Sequence, residues 1–99
     1  MAASRRLRFN PLAEAELQDA ASWYDERVAG LGGRFIAAFR HRTSEIIESP
    51  RRWPLIRGAR RVLVGPYPYA IIYREISDDE LEIVAVAHLK RRPGYWAER

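Results

Sequence analysis

The 99 residues, 47% hydrophobic and 30% charged, predict one globular domain over residues 1–99 with a single core. The chain holds no cysteine, which excludes disulfides, thiol chemistry and Cys-based metal sites, and its two distant histidines, His41 and His88, offer no zinc-ligand spacing. The net charge of +4 falls wholly in residues 51–99, where nine Arg and Lys90 face six acids, while residues 1–50 balance seven Arg against seven acids. Segregated arginine of this kind points to a polyanion or an acidic protein partner.

In chain order, Arg5–Phe9 alternates charge with bulk and predicts a short edge strand with Leu7 and Phe9 on its dry side. No stretch approaches the ~18 apolar residues of a membrane span, and MAASRRLRF lacks the apolar run of a secretory signal, so a cytoplasmic protein is expected. Asn10-Pro11 then opens a helix, the Asn side chain serving as cap and proline taking the first helical position. Ala13, Leu17, Ala20, Ala21, Tyr24 and Val28 form its apolar stripe, Glu14, Glu16 and Asp19 solvate its opening turns, and Gly30 ends it. After a turn at Gly32-Gly33, a second helix is expected from Arg34 to Glu48, with Phe35, Ile36, Phe39, Thr43, Ile46 and Ile47 facing inward and His41 outward. Ser49-Pro50 stops it.

Arg51–Arg60 has no period, and its Trp53-Pro54 pair and Gly58 read as a loop, with Trp53 as its anchor to the core. Three strands in an antiparallel meander follow: Arg61–Val64, Tyr69–Ile76 and Leu81–His88. The last two are apolar on both faces, so helices are expected over one face and some other element over the other. The fold class is therefore α+β, an antiparallel-rich four-stranded sheet with a two-helix hairpin on one face, in the order β-α-α-β-β-β. Leu17, Tyr24, Phe35, Phe39, Ile46, Ile72 and Ile83 are expected in one buried cluster.

The final strand passes directly into a basic and aromatic tail, His88 to Trp96, which is acid-free. Phosphate loops, nucleophile elbows and metal motifs are absent from the sequence, and no cofactor is implied. RNA cleavage without a metal needs only proton transfer and stabilisation of a charged phosphorane, and His88, Lys90, Arg91 and Tyr95 are the candidate set for it.

Four stretches, FNPLAEAELQDAASWYDERVAGLGGRF (9–35), IIESPRRWP (46–54), PYPYAIIYR (66–74) and IVAVAHLKRRPGYW (83–96), together resemble the RelE/ParE superfamily, the toxin halves of bacterial type II toxin–antitoxin modules, often called plasmid stabilisation proteins. The resemblance implies a small sheet with a helical hairpin on one face. It also implies either of two activities: RelE-like members cut messenger RNA on the ribosome, whereas ParE-like members inhibit DNA gyrase. RelE-like nucleases carry an arginine on the central strand where this chain has Ala70, in Tyr69-Ala70-Ile71-Ile72-Tyr73, although Lys90 or Arg91 and Tyr95 have counterparts. The expectation is thus a ParE-like growth inhibitor, with an mRNA endonuclease as one alternative and a non-toxic binding module as the other. A cognate antitoxin with an acidic segment that folds on contact is the expected partner in a hetero-oligomer. The residues expected to receive it are Arg60, Arg61, Arg74, Lys90, Arg91, Arg92 and Tyr95.

Overall fold

A computed structural model describes residues 5–99. Strand β1 (Arg6–Phe9) leads into helix α1 (Pro11–Arg27) and helix α2 (Leu31–Glu48). Strands β2 (Leu55–Ile56), β3 (Ala59–Leu63), β4 (Tyr69–Ser77) and β5 (Glu80–His88) complete it. The sheet order is β1-β5-β4-β3-β2. Two features of the expected sheet need correction. It has five strands, not four, and it is mixed, because β1 runs parallel to β5 while every other pair is antiparallel. The parallel pairing follows from the connection, since β1 reaches β5 only after the chain has crossed through both helices.

The fifth strand lies in the stretch expected as a loop. Leu55-Ile56 pairs with Ala59-Arg60 around the two-residue turn Arg57-Gly58, both in the left-handed region at φ 55° and 78°. That geometry belongs to a tight hairpin whose turn twists with its strands. Asn-Gly is its usual sequence, and arginine at the first turn position conceals the signal.

Asn10 caps α1 as expected, accepting from the Leu12 N–H at 2.9 Å. The helix closes at Arg27, and Val28, placed on the apolar stripe by periodicity, is exposed. Gly32 and Gly33 belong to α2 instead of the turn before it. Gly32 N–H donates to Asp25 Oδ1 at 2.7 Å, so a carboxylate on α1 satisfies an orphan amide of α2. A side chain at Gly32 would collide with the Ala21 carbonyl and the Asp25 carboxylate, which is why the two helices can approach so closely here.

The sheet buries two layers. On the helix side, Leu17, Tyr24, Phe35, Phe39, Ile46, Ile71, Tyr73 and Ile83 form the main cluster. On the other side Ala59, Ile72, Val84, Ala85 and Ala87 form a second cluster covered by Tyr95 and Trp96, so Ile72 belongs to a different core from the one expected. Parity accounts for the split. The β4–β5 register slips at Ile72/Tyr73, which face Ala85 and Ile83 respectively, so Val84 is an extra residue in β5. A bulge of this kind turns consecutive side chains to one face, here Val84 and Ala85. The expected second cover is therefore the chain's own tail, residues 89–99, which is called the strap below.

Candidate functional site

Pairing between β1 and β5 ends at Phe9↔Ile83, and the bulge follows immediately. The β5 edge from Val84 to Val86 then has no neighbouring strand, and unpaired ladder groups in a covered position are costly. Side chains take the strand's place. Glu16 Oε1 on α1 accepts from Val86 N–H at 3.0 Å, and Arg99 Nη1 donates to the Val84 carbonyl at 3.1 Å. The same two side chains pair with each other through both carboxylate oxygens, at 2.8 and 2.9 Å. The Tyr95 hydroxyl donates to Glu16 Oε2 at 2.7 Å. One carboxylate thus joins α1, the β5 edge and both ends of the last turn of the strap.

The electrostatics follow from that arrangement. Burial pushes the Glu16 carboxyl up, but the hydrogen bonds from Arg99, Tyr95 and Val86, with the Arg99 charge, outweigh it and hold the group below its ordinary value. The Tyr95 hydroxyl is driven well above the usual phenol range, first by burial and then by its bond to the Glu16 carboxylate. It is a fixed donor, not an ionisable base. Arg91 stacks over the Tyr95 ring at 3.8 Å and comes within 3.9 Å of Glu16.

The candidate nuclease set is only partly gathered. His88 Nδ1 accepts the Lys90 backbone N–H at 3.0 Å, which puts the proton of a neutral ring on Nε2. Its ring meets Tyr69 edge-on at 5.0 Å, and Lys90 itself is exposed. Ala70 is buried between Leu63 of β3 and Ala87 of β5, without a charged neighbour across either pair.

The expected partner-binding cations divide into two groups. Arg60 is engaged inside the fold, donating to the Trp53 carbonyl at 2.6 Å and lying 3.5 Å from Glu75. Beside it Tyr73 donates to the Pro50 carbonyl at 2.6 Å, its hydroxyl pushed up to about 12 chiefly by burial, so the loop after α2 is pinned from below with Trp53 edge-on to Tyr73. Arg74 pairs with Glu82 at 2.8 Å and donates to the Arg99 carbonyl at 2.7 Å. Arg61, Lys90, Arg91 and Arg92 are exposed.

Between the β2–β3 hairpin and the strap lies a cleft of about 290 Å³. Its floor is Ala59, Ala70, Ile72 and Ala87, and arginines surround its mouth. Periodicity did not single out Glu16, Arg99 or Arg57, three residues that build this region. Glu16 has the signature of a solvated helix carboxylate, and only the fold brings it to residues 70 and 83 positions away.

A two-helix hairpin on one face of a mixed sheet, with an arginine-rich tail strapped over the other, defines a small class of α+β domains. Residues 7–93 match the family described as "ParE toxin of type II toxin-antitoxin system, parDE", and the chain belongs to that family. A solved structure titled "Chromosomal ParDE TA system from P. aeruginosa" superposes with a TM-score of 0.72 at 12% identity, covering 85% of this chain and 95% of that one. At that identity the likeness is one of fold. No curated protein matches the chain. Among the described residues no helix is long and apolar enough to cross a membrane, and no cluster of His, Cys, Asp and Glu could hold a metal ion.

Proposed function

We propose that the chain is a cytoplasmic ParE-like toxin that arrests bacterial growth by binding DNA gyrase and is neutralised by a cognate antitoxin. The observation that carries a binding mode of action is the Tyr95–Glu16 contact at 2.7 Å. In the nuclease reading Tyr95 would have to exchange a proton or contact phosphate, yet its hydroxyl is already committed to a carboxylate that also holds Arg99 and the β5 edge. The strand position where a phosphate-binding arginine would stand is Ala70, buried on the cleft floor. Gyrase as target is drawn from the family, and the antitoxin from both the family and the ParDE title of the similar structure.

The test is induced expression in bacteria with parallel assays of DNA supercoiling by gyrase and of mRNA cleavage, on the native chain and on Tyr95→Phe. Growth arrest with lost supercoiling, intact mRNA and a potent Tyr95→Phe variant is the expected result. Ribosome-dependent cleavage that Tyr95→Phe or His88→Ala abolishes, in a protein that still folds, would establish the nuclease instead. Growth without arrest would leave a non-toxic binding module.

A further inference from the structure

Helix α1 is the acidic part of a basic chain. Its residues Pro11–Arg27 hold five acids and one arginine, against a net charge of +4 for the whole sequence. Within the fold, the strap answers Glu16, the Gly32 amide answers Asp25, and Arg27 lies 3.9 Å from Glu26. The ion pairs of α1 engage Glu16 and Glu26, and among the described residues none reaches Asp19, which is exposed.

Helical spacing puts Glu16, Asp19, Ala20 and Trp23 on one face of α1, with the buried Tyr24 beside Trp23. That face forms one wall of an open groove of about 560 Å³. Pro68, Tyr69, Val86 and His88 form the other wall. Arg91 lines it too, but this cation is already held by Glu16 at 3.9 Å and by the Tyr95 ring at 3.8 Å. Asp19 is therefore the one charge in the lining without a counter-charge.

This lining selects the occupant. Phosphate groups meet Asp19 and Glu16 on the same wall and are repelled. A purely apolar side chain would take Asp19 out of water and give it nothing in return. A cation meets every part. Trp23 is 48% exposed, and the Arg27 guanidinium already lies over its ring at 3.5 Å, so the indole attracts such a group. The methylene stem of an arginine or lysine would cover Ala20 and Val86 while its head stays beside the carboxylate.

We propose that the cellular target presents an Arg or Lys side chain to this groove, its stem on Ala20 and Val86 and its charge between Asp19 and the Trp23 and Tyr69 rings. The proposal rests on the reading above that the chain acts by binding gyrase. It gives that contact a surface of opposite sign to the arginine-rich one expected to receive the antitoxin.

The experiment has two arms. In the first, acetyl-Gly-Arg-Gly amide is titrated into the isotope-labelled chain while the indole N–H and tyrosine ring signals are followed by NMR. Shifts at Trp23 and Tyr69 are expected, with affinity lowered about 3-fold by Asp19→Asn, the loss that one exposed ion pair gives. Acetyl-Gly-Glu-Gly amide should leave those signals in place. Equal binding of both peptides, an Asp19→Asn chain that binds as the native one does, or shifts confined to another surface would overturn the proposal.

In the second arm, binding to purified gyrase is measured for the native chain, Asp19→Lys, Trp23→Ala and Glu14→Lys. The first two variants should bind about 10-fold more weakly. Glu14→Lys makes the same change of net charge on α1 but lies off the groove, and its binding should be unchanged. Asp19 and Glu14 are both exposed, so the two lysine variants should keep their melting temperature and decide the matter if Trp23→Ala unfolds. No loss with Asp19→Lys, or an equal loss with Glu14→Lys, sinks the groove assignment and leaves the gyrase reading standing. A native chain that does not bind gyrase sinks that reading and the occupant drawn from it, whereas the peptide arm fails only if the groove is not a cation site. Self-association of the native chain that Asp19→Lys abolishes would seat a second copy's arginine here and overturn the proposed occupant.

Discussion

Replacing Glu16 tests how the strap is held. The carboxylate accepts from Val86 N–H, the Tyr95 hydroxyl and both Arg99 nitrogens, and its side chain and that of Arg99 are 16% and 13% exposed. Breaking a fully buried ion pair from one side costs about 3–5 kcal/mol, because a charge is stranded without its partner. Here the strap can swing outward and return Arg99 to water, so the upper part of that range does not apply. Glutamine keeps an acceptor for Val86 but removes the charge, and a hydrogen bond to a charged group is worth about 1.5–3 kcal/mol. Glu16→Gln should therefore cost about 2 kcal/mol, a drop of about 8–16 °C in Tm for a domain this small. The decisive measurement is a urea-unfolding cycle with Glu16→Gln, Arg99→Gln and the double variant. A coupling above 1 kcal/mol is expected, well beyond that of an exposed pair at about 0.2–1 kcal/mol. A coupling indistinguishable from zero would mean that the pair is ornamental and that Tyr95 and Trp96 hold the strap by burial alone.

The same carboxylate predicts a pH dependence. Its folded pKa lies below the ordinary value, so its contribution is complete above the normal carboxylate range and is lost as pH falls through the lower folded value. The Val86 amide signal, followed by NMR from pH 6 to 2, should titrate with a midpoint under 4.5, the ordinary value; a higher midpoint refutes the inference. Phe39→Ala should cost about 3–5 kcal/mol by urea unfolding, since the ring is 4% exposed and stacks on Phe9 at 5.6 Å. A near-native melting temperature would place α2 on the wrong face. Gly32→Ala, which helix propensity alone would favour, should destabilise by about 1–3 kcal/mol through the Ala21 and Asp25 contacts, and a gain in stability would contradict the close helix crossing.

Much of the fold was written locally. The Asn10-Pro11 cap, the stripes of both helices, the stop at Ser49-Pro50 and the three meander strands each depend on neighbours within a turn or a hairpin, where period and turn chemistry act directly. The doubly apolar β4 and β5 even required a second cover, and Trp53 was correctly placed against the core. Three things depended on distant parts of the chain. Leu55-Ile56 becomes a strand only because β3 lies beside it, two residues being too few to show a period. The separation of Ile72 from Ile83 onto opposite faces follows from one extra residue in β5, and a parity change is invisible without its partner strand. Glu16 looked like a solvated helix carboxylate, and the tail like a set of basic and aromatic groups turned to a partner. Folding brings the two together at the β5 edge that β1 leaves open, where burial and unmet backbone groups turn an ordinary acid into the anchor of the strap.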